Sequence, residues 1–190
     1  MCVAVEGLFL DEPDVAALRA ATEQAERDGV AAVFLTDGPL GDAVVLAAGL
    51  GAWSEGLLLG VRISLEDQPH RHPALLAREM TAFDDVCGGR AALVFRGPFT
   101  EGTTEAIALC RAMWRTGVAV SDGPHYPVAG AINNPRPERP GGPPIAVDLT
   151  DGSAAAPALL ALCDLVLVPA GAAAPELLPP GTDVCQILIA

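Results

Sequence analysis

Two arginines stand in short runs of leucine, valine, isoleucine and alanine and could hold a charged group. Arg62 interrupts one run and Arg96 ends another, and both runs have the composition of buried strands. A guanidinium inside a sheet needs a carboxylate or an anionic ligand beside it, because an unpaired buried charge is costly. The sequence offers Glu6 or Asp37, each near a strand end, as the partner of Arg62. We favour internal ion pairs and keep ligand binding as the alternative.

A loop with two histidines is the other arrangement that could do chemistry. His70 and His72 flank Arg71, and Glu66 and Asp67 precede them. All four acidic and imidazole side chains are of types that bind metals, but the spacing anchors no complete ligand set. We therefore interpret the segment as a loop leading into a helix and predict no metal site. The motifs of serine hydrolases, phosphate-binding loops and dinucleotide-binding folds are also missing, which argues against those classes.

The elements that would position these residues alternate between strand and helix. Leu76, Met80, Phe83 and Cys87 recur at helical spacing, Pro73 suits a first helical turn, and a double glycine follows. An apolar run lies on either side of this helix. Strand, helix and strand at this length predict a right-handed crossover between parallel strands.

The same alternation continues along the chain and predicts an α/β fold with a parallel core. We predict strands near 3–10, 30–36, 57–64, 91–96, 145–149, 165–169 and 184–189, and helices near 15–27, 42–53, 73–87, 104–115 and 154–163, with at most one turn within 172–180. A complete eightfold barrel usually takes about 250 residues. The prediction is one domain over 1–190, a truncated (β/α)8 TIM-type barrel with about seven mostly parallel strands and helices outside. An open doubly wound sheet is the alternative.

A proline- and glycine-rich stretch at about 117–144 interrupts the alternation. It has no helical periodicity, and it opens with a segment that predicts a small hairpin around Asp122 and Gly123. A connection of this length is usually functional or packs as an excursion over the barrel end.

Composition restricts the partners and the compartment. The net charge is −13 and all 11 basic residues are arginine, which argues against nucleic acid or anionic lipid as a partner. Cys87, Cys110 and Cys163 lie in apolar helical patterns, which predicts buried, reduced thiols. The apolar tract 154–174 is broken by Asp164 and two prolines, so we predict no membrane span and a cytoplasmic protein.

Six segments, in order, resemble the luciferase-like monooxygenase superfamily, barrel enzymes that use reduced flavin or a deazaflavin. The resemblance covers about 20–150 and implies a TIM-type barrel with the cofactor, FMN or a deazaflavin, across the carboxyl ends of the strands near Asp37, Arg62 and Arg96. The segments are AERDGVAAVFLTD (25–37), LLLG (57–60), RHPALLAREMTAFDDVCGGR (71–90), ALCRAMW (108–114), GPHYPV (123–128) and NPRPERPGGPPIAV (134–147).

Three departures from the family pattern bear on activity. Gly38 follows Asp37 where many members have a histidine that acts near the flavin as an acid or base. The connection after Arg96 is short where the family has a long active-site segment, and little sequence follows Ala170, where the family builds its flavin-phosphate site. The pattern favours a non-catalytic, supporting subunit of an oxidoreductase complex, whose isolated chain binds no cofactor. The alternative is an active flavin- or deazaflavin-dependent monooxygenase or oxidoreductase on a small organic substrate.

The resemblance also bears on assembly. An incomplete barrel would expose strand edges and the apolar faces of helices, which need covering. We therefore expect a homodimer, or a heterodimer with a full-length luciferase-like subunit. The helices after the first and third strands are the expected interface, because family dimers are packed through helices.

Overall fold

Nine strands are present in the computed structural model, which describes residues 4–68, 71–172, 178 and 182–188. Seven of them form one closed barrel in the order β1-β2-β3-β4-β7-β8-β9, and β9 pairs back onto β1. Every pair in the barrel is parallel. The strands are β1 (Ala4–Phe9), β2 (Ala32–Thr36), β3 (Leu58–Ile63), β4 (Ala91–Arg96), β5 (Val118–Ser121), β6 (Val128–Ile132), β7 (Ile145–Asp148), β8 (Leu165–Pro169) and β9 (Asp183–Leu188).

This closure confirms the predicted barrel and decides against the open sheet. It also corrects one expectation about assembly. Because β1 pairs with both β2 and β9, the barrel presents no free strand edge within its seven described strands. Any partner of the barrel must therefore meet helices, loops or the small β5–β6 sheet.

The helices are α1 (Val15–Arg27), α2 (Ala43–Gly51), α3 (Pro73–Val86), α4 (Glu101–Thr116) and α5 (Pro157–Leu160). The predicted inward face of α3 is confirmed, and Pro73 occupies its first turn. The last predicted helix is too long, since α5 has only four residues. After α5, Leu162 and Cys163 bond back three residues instead of four, so the chain tightens as it turns into β8. The turn predicted within 172–180 lies almost wholly outside the described residues.

Among the described residues, the side chains inside the barrel form layers along its axis. Phe34 fills the middle, and Gly60 on the neighbouring strand makes room for it, since a Cβ there would lie 2.1 Å from the Phe34 ring. The other buried members of this inner cluster are Ala32, Val94, Ala146, Leu165 and Leu167. The larger core lies between the strands and the surrounding helices. Apolar packing therefore closes the barrel at mid-height and leaves its carboxyl end to polar side chains.

The predicted hairpin is confirmed as the antiparallel pair β5–β6, which stands apart from the barrel. The excursion that contains it packs along α3 and α4. Asn133 donates a hydrogen bond to Thr81 of α3 at 2.9 Å, and Gly142 lies against the Trp114 ring of α4. Gly142 has a φ of +84°, so both its backbone and the ring contact favour glycine.

Three cysteines are buried free thiols, as predicted. Desolvation by burial raises the pKa of Cys110 and of Cys163 to about 12 and also raises the pKa of Cys87. These thiols therefore stay protonated and pack as small apolar side chains. Among the described helices, none is both long enough and apolar enough to cross a bilayer.

Candidate functional site

The carboxyl end of the barrel carries a layer of polar side chains that point inward. Every second residue of a strand points to the same side. Because Phe34, Gly60, Val94 and Ala146 face the barrel interior, the residues two positions further along each strand face it too; these are Thr36, Arg62, Arg96 and Asp148. In the register, Thr36 is the partner of Arg62 and Arg96 is the partner of Asp148. Parallel barrels place binding and catalytic groups at this end, so this layer, the barrel mouth, is the candidate site.

Arg62 is held at the centre of the barrel mouth by three groups. Its Nε donates to Oδ2 of Asp148 at 3.0 Å, its Nη2 donates to the same oxygen, and its Nη1 donates to Thr36 Oγ1 at 3.1 Å. Its guanidinium carbon also lies 3.7 Å from the centre of the Phe9 ring. The predicted internal ion pair is confirmed, but its partner is Asp148, and the choice of Glu6 or Asp37 was wrong.

Asp148 is the residue that sequence reasoning missed. Only 1% of it is exposed, and its second oxygen, Oδ1, accepts from the backbone N–H and the hydroxyl of Thr150 at 2.9 and 2.6 Å. Both carboxylate oxygens are therefore occupied. A signal was present in the sequence, since Asp148 ends an apolar run as Arg62 and Arg96 do, but the run lies beyond the long excursion.

Asp37 belongs to a different set of contacts. Its Oδ1 accepts the Ala43 N–H at 2.6 Å at the start of α2, and its Oδ2 accepts from Gln68 at 2.5 Å. Arg71 lies 3.4 Å from the same oxygen. Asp37 thus joins the loops after β2 and β3, and the structure does not bring it together with Arg62.

Arg71 is the centre of this second set and is only 7% exposed. Besides Asp37, its guanidinium pairs with Asp42 and, at 3.1 Å, with Glu79. Burial acts to raise the pKa of Asp42, but hydrogen bonds from Val45 N–H and Arg71 outweigh it and the pKa lies below its ordinary value. Burial raises the pKa of Glu79, although the charge of Arg71 opposes this. One guanidinium therefore organises three carboxylates at the loops beside the barrel mouth.

The histidine loop serves the start of α3. His72 Nδ1 accepts the Ala74 N–H at 3.1 Å and caps the helix, and its ring meets Tyr126 edge-on. His70 lies outside the described residues. Within the described ranges, no three histidine, cysteine or acidic side chains come together as a possible metal site.

Arg96 differs from the other two predicted site residues. It is half-buried, and its side chain forms no hydrogen bond or ion pair with the described part of the chain. Asp151 lies within its electrostatic reach: the pKa of that carboxyl is lowered first by hydrogen bonds from Ser153 and to a smaller degree by the charge of Arg96. Arg96 is thus the one predicted site arginine whose donors are not used by a neighbour in the described structure.

A small cavity lies beside the barrel mouth, between the barrel wall and the first two helices. It measures about 30 Å³ and lies between the loops after β1 and β2, bounded by Leu10, Leu35, Thr36 and Gly38. Pockets for drug-sized ligands usually measure about 300–1,000 Å³. At the barrel mouth itself, Arg62 and Asp37 are already paired, and Arg96 is the predicted site residue that keeps unused donors in the described structure.

Residues 4–100, just over half of the chain, match the family model for luciferase-like monooxygenases. The fold is similar to that of coenzyme F420-dependent tetrahydromethanopterin reductase from Methanopyrus kandleri, with a TM-score of 0.68 and 16% identity over 88% of this chain and 55% of that one. Monooxygenase RslO1 from Streptomyces bottropensis aligns with a TM-score of 0.65 and 18% identity over 87% and 60%. DmoA from Hyphomicrobium sulfonivorans aligns with a TM-score of 0.68 and 13% identity over 90% and 53%.

This chain therefore spans between 53% and 60% of the length of those three proteins. At such low identity the likeness establishes the fold alone. No curated protein matches the sequence at a significant level.

Proposed function

The chain belongs to the luciferase-like monooxygenase family, and we propose that within it the chain is a non-catalytic, supporting subunit of an oxidoreductase complex. Its partner would be a second copy of the chain or a full-length luciferase-like subunit. The buried, reduced cysteines support a cytoplasmic location for such a complex.

The observation that carries this proposal is the pairing of Arg62 with Asp148 inside the barrel mouth. An anionic group that bound Arg62 would have to displace a carboxylate that is 1% exposed and belongs to β7, two strands from β3 around the barrel. Separating such a buried pair leaves an uncompensated charge and typically costs about 3–5 kcal/mol. The arrangement suits a barrel that is closed by its own side chains better than one that opens to a cofactor.

Gly38 supports the same proposal from a neighbouring position. Its N–H donates to Gly41 O and its own carbonyl accepts from Gly41 N–H, so residues 38–41 form a tight turn at the end of β2. No titratable side chain occupies this position, where the family resemblance leads us to expect an imidazole. General acid–base catalysis by such a group typically contributes about 10²–10⁴-fold in rate.

The second candidate is an active flavin- or deazaflavin-dependent oxidoreductase with Asp37, Arg62 and Arg96 in its cofactor site. The free donors of Arg96 favour it. The similarity in fold to a coenzyme F420-dependent reductase also favours it. So does the similarity, at a TM-score of 0.58, to a Baeyer-Villiger monooxygenase component from a Pseudomonas putida plasmid that was solved in complex with FMN. The Arg62–Asp148 pair weighs against it.

Oxygen uptake by the isolated chain with reduced FMN, and hydride transfer with a deazaflavin, separate the two candidates. We expect no substrate-dependent turnover, and no rescue by Gly38→His, because an added imidazole does not free Arg62. Turnover at about one per second or faster, the ordinary enzyme range, would overturn the supporting role. In that case Arg62→Met and Arg96→Met should abolish it.

A further inference from the structure

The small sheet of β5 and β6 carries aliphatic side chains on both of its faces. Ala119 is buried and Ala131 packs against the core, so their face is turned toward the helices. The residues that alternate with them point away from the core: Val118 is 49% exposed, Val120 is 70% exposed and Ile132 is 60% exposed. An antiparallel sheet that rests on a core by one face normally carries polar residues on the other. The outer face of this hairpin departs from that pattern.

The exposed side chains of the hairpin form one continuous patch. Val118 is the partner of Ile132 and Val120 is the partner of Ala129, which is also exposed, so each pair lies on the same face. We call these four residues the hairpin face. Neither strand contains a charged residue. A contiguous exposed patch of this kind marks an interaction surface more often than scattered apolar residues do, and a two-stranded sheet gains stability when a further layer packs on it.

Charges of opposite sign lie at the two ends of the hairpin face. Asp122 follows β5 at the tip of the hairpin, and Arg115 lies at the other end, three residues before β5. Arg136 lies at that same end, since a Cβ on Gly117 would be 2.9 Å from its Nε. All three charged residues are exposed, and none of their side chains forms an ion pair or hydrogen bond with another described residue. The patch is therefore basic at one end and acidic at the other.

We propose that the hairpin face binds the hairpin face of a second copy of this chain, with the two small sheets face to face and their strands antiparallel. The twofold axis runs across the strands at the level of Ala119. In a twofold contact, residue i meets residue j and j meets i. Sheets that pack face to face lie about 10 Å apart, a spacing at which the side chains between them interdigitate.

The aliphatic side chains fit this arrangement. Rotation about the axis places β5 over β5 and β6 over β6, with each strand reversed in direction. Val118 then meets Val120 of the second copy, and Ile132, the largest side chain of the patch, meets the small Ala129. All four residues of the hairpin face are thereby covered, which buries apolar area in both copies.

The charges match in the same orientation. Asp122 of each copy comes to the end of the other hairpin that carries Arg115 and Arg136, so an acidic tip meets basic side chains twice. Two molecules with a net charge of −13 repel one another unless they meet through surfaces without excess negative charge. Because the hairpin face is complementary to itself in both shape and charge, it favours a second copy over a foreign partner.

This contact is separate from the helix-packed dimer that the family resemblance leads us to expect. It uses the sheet that stands apart from the barrel. The inference therefore goes beyond the proposed function, and it holds whether or not the barrel is catalytic. Four side chains from each copy make a smaller contact than a standard interface, so we expect a dissociation constant in the micromolar range.

Sedimentation velocity on the flavin-free chain, at concentrations up to about 500 µM, tests the contact. We expect the wild type to associate, Val120→Glu to abolish that association and Val120→Thr to weaken it. Threonine keeps the branched shape that strands favour, so its effect reports the contact and not the folding of the hairpin. The control is Val45→Glu on α2, because Val45 is also 70% exposed; it should leave the association intact.

Three results would overturn the proposal. The first is a wild type that stays monomeric over the whole concentration range, and the second is an equal effect of Val120→Glu and Val45→Glu. The third comes from Val86→Glu on α3, where Val86 is 65% exposed. Association that is lost in Val86→Glu and kept in Val120→Glu would assign it to the helices and leave the supporting role of the chain untouched.

Charge exchange tests the register. Asp122→Arg should weaken the association about tenfold, because it creates like-charge contacts at both ends of the interface. The double variant D122R/R136D should recover most of the lost affinity. A double variant no tighter than Asp122→Arg alone would overturn the antiparallel register, and association only with a co-expressed full-length luciferase-like protein would overturn the second copy as partner.

Discussion

At the scale of single residues, Asp148 determines what the barrel mouth can do. It satisfies Arg62 with one oxygen and Thr150 with the other, so the strongest anion-binding group of the inner wall is occupied. Phe9 shields the other side of the guanidinium. Arg62, the arginine that the family resemblance puts near the cofactor, is therefore held within hydrogen-bond distance of a carboxylate of the same barrel.

Removing Asp148 should therefore destabilise the fold strongly. Asp148→Ala leaves Arg62 without a carboxylate inside the barrel and should lower the free energy of unfolding by about 3–5 kcal/mol. Urea denaturation measures this. The control is Glu23→Ala, which breaks the exposed Arg19–Glu23 pair on α1 and should cost less than about 1 kcal/mol. Equal losses for the two variants would mean that the buried pair contributes no more than a surface one.

Two carboxyls should give opposite slopes of stability against pH. Hydrogen bonds from the N–H groups of Gly56 and Glu55 lower the pKa of Glu26, so its stabilisation is present above its ordinary value of 4.5 and is lost as pH falls through the lowered pKa. Burial raises the pKa of Asp84, so the folded state binds more protons above 3.8 and stability falls as pH rises through the raised pKa.

The matched variants are Glu26→Gln and Asp84→Asn, the second of which keeps the oxygen that accepts the Ala91 N–H. Thermal unfolding should be followed between about pH 3 and pH 7. Glu26→Gln should lose less stability than the wild type as the pH falls, and Asp84→Asn should lose less stability than the wild type as the pH rises. Parallel profiles for both variants and the wild type would contradict these assignments.

At the scale of elements, local patterns were sufficient for most of the barrel. Helix α3 and strands β4 and β8 each depend on the spacing of apolar side chains within one short segment. The sequence therefore predicts their positions closely. The partner of Arg62 could not be found in this way, because Asp148 lies 86 residues further on and reaches it only through the closed barrel. The contacts of Asp37 could not be predicted for the same reason. They depend on Arg71 and on how the loops after β2 and β3 pack together.

The packing of β2 against β3 gives a test at this scale. Gly60→Ala forces a Cβ into the Phe34 ring and should cost about 1–3 kcal/mol of unfolding free energy, as overpacking usually does. Phe34→Leu in the same chain should relieve part of that cost, so the double variant should be less than additive.

Gly49→Ala in α2 is the control for this substitution, because nothing lies within 4 Å of the added Cβ. It should stabilise the protein by about 0.5–1 kcal/mol through helix propensity. If the effects of Gly60→Ala and Phe34→Leu on the free energy of unfolding were strictly additive, the Phe34 ring would not be the reason that position 60 requires glycine.

At the scale of the whole molecule, seven strands suffice to close a parallel barrel of the luciferase-like family. Closure pairs the strand edges of the described barrel, so exposed aliphatic side chains on the helices and on the β5–β6 sheet are what remains for a partner. It also draws Arg62, Phe9 and Asp148 into one cluster at the mouth. The arrangement of strands that closes the barrel therefore also places the Arg62–Asp148 pair at its mouth.

Titration of the isolated chain with FMN, and separately with a deazaflavin, tests whether the barrel mouth accepts a cofactor. Flavin fluorescence or calorimetry reports binding without any knowledge of the substrate. We expect no saturable binding at cofactor concentrations up to about 1 mM, because the donors of Arg62 already bind Asp148 and Thr36. Stoichiometric binding with a micromolar dissociation constant, lost in Arg62→Met, would contradict it.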